Sequence, residues 1–283
     1  VACLRLIQDE RITHSAMVPV QFQRIVAHAD FAHYNVSTLQ YVMSCGSPLT
    51  PEEKTGFAKS LNTNFMELYG LTEGLITILA PEDLAEHAES VGLPLQGSDL
   101  RILLDDDTLA PTGQSGEIIG QGRLQMSGYN NRPDADIEAR WTDADGQNWL
   151  RTGDIGWLDA DGYLHLVDRK KDMILSGGQN VYPADIEAVL KTHDQVEDAA
   201  VIAVKSTKWG ETPLALVVAH DGINHESITQ DGITQDGLKI WVNGKLGKQQ
   251  RVSGVIFVQE LPRNPNGKIL KRTLKQQYAE LVL

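Results

Sequence analysis

A short sequence near residue 70 combines the side chains that could bind a nucleotide and a metal ion. Residues 69–74 read YGLTEG and follow the largely apolar residues 65–68. The ring of Tyr69 could stack on a base, the hydroxyl of Thr72 could donate to a phosphate, and the carboxylate of Glu73 could bind Mg²⁺. Taken alone, the same residues also fit an ordinary polar turn.

Two further polar residues stand in glycine-containing loops. Asp154 is flanked by Gly153 and Gly156 in a predicted turn, and its carboxylate could accept two hydrogen bonds from a ribose diol. A β-turn aspartate is the alternative. Lys268 follows the loop 262–267, which is rich in Pro, Asn and Gly. Its ammonium could approach negative charge that develops on a carboxylate and a phosphate, without acting as a base. A solvent-exposed loop lysine is the alternative.

The segment 168–187 indicates a domain junction that carries chemistry. It contains the charged corner 168–172 (DRKKD), then the glycine pair at 177–178, then a helix that starts with Pro183. A strand, a charged corner, a pair of small residues and a new helix succeed one another within twenty residues. Such a compact succession predicts a boundary between two folded parts.

The elements that must position these residues differ along the chain. Residues 12–68 mix helical and strand patterns, which predicts an α/β sheet. Residues 39–43 form an apolar run that ends in a small-residue turn, and Thr50 then caps a predicted helix that begins with Pro51. Open α/β sheets bind ligands at such strand ends.

The later part of the chain predicts more strands. Residues 91–167 contain short strands separated by Asp-Gly turns, which indicates a β-rich subdomain. After Asp172 the pattern reads strand, helix, strand, strand, helix, strand. The predicted strands are 196–204 and 214–220, and the predicted helices are 184–193 and 238–246. The five residues ITQDG occur twice in succession at 228–237, which we interpret as a duplication in a surface loop.

Length and composition favour a globular chain of one large or two unequal domains, since 283 residues with 41% hydrophobic and 22% charged residues can bury a sizeable core. The two cysteines, Cys3 and Cys45, cannot form a disulfide framework. The sequence contains no run of about 18 apolar residues, so no transmembrane segment is predicted. These features predict a cytoplasmic location. Val1 stands inside a segment typical of packed structure, which predicts further residues upstream.

The charge is unevenly distributed. A net charge of −13 argues against nucleic acid or an anionic membrane as the main partner. Between positions 238 and 275, however, nine Lys or Arg residues stand against one acid, Glu260. This stretch is either a solvated basic face or a local site for an anionic small molecule.

Six motifs in order resemble the adenylate-forming (AMP-binding) superfamily, and most closely its acyl-CoA synthetases of the fatty-acid–CoA ligase type. The motifs are residues 44–49, 69–74, 116–128, 151–154, 168–187 and 264–268. The resemblance implies an α/β plus α+β fold. Residues 1–170 would be part of a large domain, with the α/β sheet to about residue 90 and the β-rich subdomain over 91–170. Residues 171–283 would form a small, mobile C-terminal α+β domain, with the hinge at Lys171.

The resemblance further implies a reaction in two steps, in which a carboxylic acid and ATP, with Mg²⁺, form an acyl-adenylate whose acyl group then passes to coenzyme A. Thr72 would bind the phosphate, Glu73 would ligate Mg²⁺, and Lys268 would bridge the acyl and phosphate oxygens. The residues implied around the adenine and ribose are Gly46, Ser47, Pro48, Tyr69, Gly70, Asp154 and Arg169.

The resemblance also implies sites for the thiol and the acid. Gly177 and Gly178 would flank the path of the thiol, and Trp209 is a candidate contact for the adenine of coenzyme A, with a surface tryptophan as the alternative. His14 would line the acyl pocket of a fatty or other hydrophobic acid, with a histidine satisfied by backbone groups as the alternative. The resemblance leaves a homo-oligomer open.

One departure from the family pattern limits these expectations. The Ser/Thr/Gly-rich loop followed by Pro-Lys-Gly, which encloses the outer phosphates in the family, does not occur in the sequence. We therefore expect a C-terminal part that needs an upstream half and has weak or no activity alone. Two other functions stay open: an adenylation domain that loads a carrier-protein thiol, and a non-catalytic nucleotide-binding remnant.

Overall fold

Three parallel strands near the start of the chain establish the first sheet. The computed structural model describes residues 1–220, 234–265 and 267–283. The sheet has the order β1-β2-β3-β4-β5, with β1, β2 and β3 parallel and β3, β4 and β5 antiparallel. Its strands are β1 (His14–Met17), β2 (Tyr41–Cys45), β3 (Asn64–Gly70), β4 (Ile76–Leu79) and β5 (Leu93–Pro94). The carboxyl ends of β1, β2 and β3 therefore lie at one edge of the sheet.

Helices cover this sheet and close its core. They are α1 (Ala2–Asp9), α2 (Pro19–Val26), α3 (Pro51–Leu61) and α4 (Leu84–His87), with a 3₁₀ turn at Phe31–His33. Phe22, Phe57 and Phe65 are buried and pack with ring centroids 5.5 to 6.1 Å apart. The predicted start of α3 is confirmed, because Thr50 Oγ1 accepts a hydrogen bond from Glu53 N and Glu53 Oε2 accepts one from Thr50 N.

The second sheet confirms the predicted β-rich region. It has the order β10-β9-β7-β6. In addition, the short strand β8 pairs with β9 in antiparallel orientation. Its elements are β6 (Ser98–Leu103), β7 (Gly116–Gly122), α5 (Pro133–Glu138), β8 (Arg140–Thr142), β9 (Asn148–Leu158) and β10 (Leu164–Arg169). Ile118 and Leu164 are fully buried in its core. Trp149 packs with Leu103 and Ile119 in a second, smaller cluster.

The third sheet contains the predicted order of strand, helix, strand, strand, helix and strand, with an additional strand after the first one and a further helix at the end. Its order is β12-β11-β14-β13, and β15 pairs with β14 in parallel. The helices α6 and α7 cover one face and α8 contacts β13, which gives two buried clusters. The elements are β11 (Ile174–Ser176), β12 (Gln179–Val181), α6 (Pro183–Lys191), β13 (Val196–Ser206), β14 (Gly210–Ala219), α7 (Gln235–Lys245), β15 (Gly254–Phe257) and α8 (Lys271–Gln277).

The chain divides into two compact units, Val1–Leu166 and Val167–Leu283, so the division falls within β10. The expected combination of an α/β sheet, a β-rich part and an α+β part is confirmed. The placement of the domain boundary and hinge at residue 171 stays a prediction. Within the described residues, no helix is long and apolar enough to cross a lipid bilayer. Both cysteines are free thiols.

The interpretation of the ITQDG duplication as a loop is wrong for part of its second copy. Thr234 caps α7, since its Oγ1 accepts a hydrogen bond from Gly237 N at 3.0 Å. Threonine followed by Gln and Asp is a favourable helix start, and the helix therefore begins at Gln235 rather than at Leu238. The first copy, at 228–232, lies outside the described residues.

Candidate active site

The carboxyl ends of β2 and β3 bring two predicted motifs to the same edge of the first sheet. The strands pair in parallel with Cys45 opposite Leu68. Gly46 is therefore next in register to Tyr69, and Gly46, Ser47 and Pro48 follow β2 directly. Ser47 Oγ is buried and has no hydrogen-bond partner among the described residues. The Ser47 hydroxyl therefore has donor and acceptor capacity that no described residue uses.

Tyr69 and Asp154 are joined by a hydrogen bond although they lie 85 residues apart. The phenol hydroxyl of Tyr69 donates to Asp154 Oδ2 at 2.9 Å. Asp154 is only 8% exposed. The residue proposed to stack on a base and the residue proposed to bind a ribose thus meet at one place, where a nucleoside could contact both.

The expectation that Asp154 stands in a turn is wrong, because it lies within the long strand β9. The pairing of β7 with β9 changes register in this region, and Gly153 has φ of +69°, as in a β-bulge. Thr152 Oγ1 donates to Ile118 O at 2.8 Å and accepts from Asp154 N at 3.0 Å. A bulge of this kind changes the direction of the neighbouring side chains. The glycines of this bulge were the signal that predicted a turn at Asp154.

Glu73 is held by a tyrosine that sequence reasoning missed. Tyr129 OH donates to Glu73 Oε1 at 2.8 Å, and this hydrogen bond, together with burial and the negative charge of Glu73, raises the pKa of Tyr129 above its ordinary value. The backbone is fixed too, since Met126 N donates to Glu73 O at 2.8 Å. Tyr129 directly follows the motif 116–128, which was the only signal for it. Thr72, beside Glu73, is exposed.

The fit of a metal ion to this site depends on a nucleotide. Among the described residues, no group of three or more His, Cys, Asp or Glu side chains could hold a metal ion. Mg²⁺ is commonly bound by one or two carboxylates together with substrate phosphates and water. The single oriented carboxylate of Glu73 fits that mode and does not fit a permanent protein-only metal centre.

A cavity of about 390 Å³ adjoins this part of the first unit. Tyr129 lines it from one side, and Thr152 and Gly153 of the bulge line it from another. Arg151 and Glu117 also line it and form an ion pair with 2.6 Å between Nη2 and Oε2, which raises the pKa of Arg151. The cavity therefore contacts the tyrosine that orients Glu73 and the bulge that orients Asp154.

Gly177 and Gly178 form the two-residue turn of the hairpin between β11 and β12. Their φ values are +59° and +81°, the left-handed values that a type I′ turn requires at both positions. Gly177 N donates to Trp209 O at 2.9 Å, and a Cβ atom on Gly177 would lie 2.8 Å from Trp209 Cε3. The structure thus places Trp209, which is distant in the sequence, against the glycine pair.

Trp209 presents its ring beside this turn. It is 47% exposed, and Lys208 Nζ lies 4.6 Å from the ring centroid. An exposed indole with an adjacent ammonium could contact a base and a phosphate of one ligand. The interpretation of Trp209 as a ligand contact stays a prediction.

We expect Gly177→Ala to destabilise the second unit more than Gly178→Ala does. Both alanines would be strained at positive φ, by about 1–2 kcal/mol. Only the Cβ of Ala at 177 would also meet the indole, since nothing lies within 4 Å of a Cβ at position 178. Urea unfolding should give a free energy lower by about 1 kcal/mol more for the first variant, with altered Trp209 fluorescence. Equal losses would contradict the close contact.

Lys268 lies in a loop that is held at both ends. Asn264 Oδ1 accepts from Lys268 N at 2.9 Å, Asn264 N donates to Lys268 O at 2.9 Å, and Arg263 and Ile269 form an antiparallel bridge. Asn266 lies outside the described residues. Lys268 and Arg169 belong to the second unit and Asp154 to the first, so the joint roles of these residues stay predictions.

His14 does not lie with the other site residues of the first unit. It stands at the amino end of β1, whereas Gly46 and Tyr69 lie at the carboxyl ends of β2 and β3. Its exposed ring stacks on Tyr41 at 5.4 Å between centroids, and Nδ1 is 2.9 Å from Thr13 Oγ1. Its place in an acyl pocket stays a prediction.

Comparisons with known proteins agree with the motif order. The family model of the AMP-binding enzyme matches residues 1–130, and that of the AMP-binding enzyme C-terminal domain matches residues 185–268. The chain is 35% identical to the long-chain-fatty-acid–CoA ligase FadD13 of Mycobacterium tuberculosis, over 98% of this chain and 52% of that protein. It is 34% identical to 4-coumarate–CoA ligase 1 of Glycine max, over 99% of this chain and 94% of that protein.

A solved structure shows the same fold. The amide bond synthetase McbA from Marinactinospora thermotolerans matches with a TM-score of 0.84 and 31% identity, over 98% of this chain and 54% of that one. The chain belongs to the AMP-binding, adenylate-forming enzyme family. It spans about half the length of the first curated relatives it matches.

Proposed function

We propose that this chain supplies the adenylate- and thiol-handling part of an AMP-forming acid–CoA ligase. The hydrogen bond between Tyr69 and Asp154 carries the proposal, because it joins the predicted base contact and the predicted ribose contact in one place. Family membership supports the reaction class. The substrates would be a carboxylic acid, ATP and coenzyme A.

The first half-reaction would form the acyl-adenylate. A carboxylate oxygen of the acid attacks the α-phosphorus of ATP, a new P–O bond forms, and the bond to pyrophosphate breaks. Thr72 would donate to the phosphate, and Lys268 would stabilise negative charge on the acyl and phosphate oxygens. Mg²⁺, bound through Glu73, would neutralise phosphate charge. Tyr129 would keep the Glu73 carboxylate oriented for this role.

The second half-reaction would transfer the acyl group. The sulfur of coenzyme A attacks the acyl carbonyl carbon, a thioester bond forms, the thiol proton passes to solvent, and AMP leaves with the bonding electrons. Gly177 and Gly178 would allow the thiol arm to approach, because neither carries a side chain. Rotation about Lys171 would exchange the Lys268 loop for this hairpin between the two steps.

Coenzyme A is the proposed acceptor because of the surface beside the hairpin. Coenzyme A carries an adenine and phosphates, and Trp209 with Lys208 offers an indole and an ammonium to them. A carrier protein brings neither adenine nor a nucleotide phosphate. Transfer to a carrier-protein thiol is therefore the second candidate, and a nucleotide-binding remnant is the third.

We propose a fatty or other hydrophobic acid as substrate. The names of two relatives specify a long-chain fatty acid and 4-coumarate, both of which are largely apolar acids. Because the chain spans about half of the first relatives, we expect the 283 residues alone to have weak or no ligase activity. Two free cysteines support a cytoplasmic location.

Nucleotide binding by the chain itself tests the proposal. We expect Asp154→Asn to weaken AMP binding about 10- to 100-fold, the cost of losing hydrogen bonds to a charged acceptor. Isothermal titration calorimetry measures this directly. Asp145→Asn is the matched control, because Asp145 is exposed in the Asp-Gly turn before β9, and it should bind AMP like the unaltered chain. Equal affinity of both variants, or no AMP binding by the unaltered chain, would contradict the proposal.

A further inference from the structure

The peptide bond between Gly267 and Lys268 is held on both sides by side chains. Its amide, Lys268 N, donates to Asn264 Oδ1 at 2.9 Å. Its carbonyl, Gly267 O, accepts a hydrogen bond from Nη1 of Arg263. Because the amide and the carbonyl belong to one planar unit, the two hydrogen bonds together fix the plane from which the Cα atom of Lys268 continues.

The turn itself is closed by bonds that stay within the loop. Gly267 N donates to Asn264 O at 2.9 Å, and Gly267 has φ of +84°. A left-handed glycine at the end of a short hairpin turn is a favourable conformation. These bonds define the shape of the turn, but they do not connect it to the third sheet. The connection therefore requires a contact to a residue outside the loop.

Arg263 makes such a contact. Its Nη2 donates to Asp198 Oδ2 on β13, and the side chains of Arg263 and Asp198 are 43% and 18% exposed. The other oxygen of Asp198 is fixed as well, since it accepts from Ala199 N and lies 2.9 Å from Lys191 Nζ on α6. One planar guanidinium thus binds a carboxylate of the sheet through one nitrogen and the carbonyl before Lys268 through another.

We propose that Arg263 is a positioning residue that connects the Gly267–Lys268 peptide bond to β13 and thereby directs Lys268 in the first half-reaction. The inference rests on the proposed function insofar as Lys268 acts in adenylation. A lysine side chain has four rotatable bonds, so its ammonium reaches the reacting oxygens often only when the backbone that carries it is fixed. Arg263 supplies that fixed point from the sheet.

Hydrogen exchange of the 283-residue chain tests the contact without any substrate. Arg263→Met removes the guanidinium and keeps an apolar stem. We expect the amides of Gly267 and Lys268 to exchange about tenfold faster, because one charge-assisted hydrogen bond to the loop is lost. The amides of residues 200–204 in β13 should keep their exchange rates, since they pair with β14. Unchanged exchange at Lys268 would overturn the proposal.

Lys191→Met is the matched control, because Lys191 binds the same carboxylate as Arg263 but not the loop. Its side chain is 47% exposed and contacts Asp198 Oδ1, whereas Arg263 binds Oδ2. The variant therefore removes a cation from Asp198 and leaves the bond from Arg263 to Gly267 O in place. We expect normal exchange at Lys268. Equal acceleration by both variants would assign the effect to Asp198 and overturn the role of Arg263.

A double-mutant cycle in the complete ligase tests whether Arg263 acts through Lys268. We expect Arg263→Met to slow acyl-adenylate formation about tenfold, the effect of losing one charge-assisted hydrogen bond. Thioester formation from supplied acyl-adenylate should not change. In a Lys268→Ala background the same substitution should cause no further loss, because the residue that it positions is already absent. An equal further loss would show that Arg263 acts on the substrate itself and would overturn the proposal.

The outcomes separate this proposal from the proposed function. Equal losses in both half-reactions after Arg263→Met would show that the residue only supports the fold of the unit, and would overturn the positioning role. Neither that result nor unchanged exchange at Lys268 would affect AMP binding by Tyr69 and Asp154, which titration measures. Conversely, absent AMP binding would contradict the ligase function and leave the exchange result of the 283-residue chain intact.

Discussion

Replacing Lys54 with methionine is expected to destabilise the first unit by about 3–5 kcal/mol, the cost of leaving one partner of a buried ion pair uncompensated. Lys54 is 1% exposed and Glu67 is 3% exposed. Lys54 Nζ lies 2.6 Å from Glu67 Oε2 and donates to Ala88 O at 2.7 Å and to Ser90 O at 2.8 Å. The substitution would leave a carboxylate and two carbonyls without this donor.

The loss should depend on pH through Glu67. Burial raises the pKa of Glu67 above its ordinary value of 4.5, against the lowering effect of Lys54. Without Lys54 the pKa in the folded variant rises further, so the folded state binds this proton more tightly than the unfolded chain does. The variant should therefore be closest to the unaltered chain near the ordinary pKa and lose stability as the pH rises through the folded pKa.

Urea unfolding at about pH 5 and about pH 8 checks both the size and the sign. Lys59→Met is the matched control, because Lys59 is exposed on the same helix, and its loss should stay within about 0.5 kcal/mol. A Lys54→Met chain that matches this control at both pH values would show that the ion pair does not hold α3 against β3.

The second large effect is expected from Lys268→Ala in the complete ligase. We expect acyl-adenylate formation to fall about 10²- to 10³-fold, the usual cost of removing one group that stabilises transition-state charge. Thioester formation from acyl-adenylate supplied directly should change little, because Lys268 is proposed to act only in the first step. Single-turnover assays of the two half-reactions measure this difference.

Lys248→Ala is the control for that assay. Lys248 is an exposed lysine of the basic stretch 238–275, and its loss should leave both half-reactions unchanged. Equal losses in adenylation and thioester formation after Lys268→Ala would argue that the residue supports the fold of the loop and not the first chemical step.

Local signals predicted much of the fold. The Thr50–Pro51 start of α3 is recognisable because capping depends on neighbouring residues. In the β-rich part, the Asp-Gly turns at Gly146 and Gly162 precede β9 and β10, and both glycines have positive φ. The Gly177-Gly178 turn is likewise local, since both positions require positive φ. Patterns confined to about ten residues suffice for these elements.

Long-range contacts in the site were not predictable in the same way. The bond from Tyr129 to Glu73 spans 56 residues, and the buried pair of Lys54 and Glu67 spans two elements. No spacing rule connects such residues before the chain is folded. Asp154 was identified by motif but assigned to a turn, because a bulge within a strand and a turn share the same glycine signal.

The structure also shows which acids pair with residues of the basic stretch 238–275. Lys271, Arg263 and Lys275 contact Glu187, Asp198 and Asp172, acids that lie far away in the sequence. These three of the nine basic residues therefore form ion pairs within the second unit. The number of these charges is visible in the sequence, but their acidic partners could not be predicted from it.

The products formed from ATP test the central claim most directly. The 283-residue chain, combined with the upstream half that its family implies, would be incubated with ATP, Mg²⁺, coenzyme A and a panel of fatty and aromatic acids. We predict AMP, pyrophosphate and acyl-CoA in equal amounts, with weak or no turnover by the chain alone. ADP and phosphate as products, or normal ATP–pyrophosphate exchange by the 283 residues alone, would contradict the account.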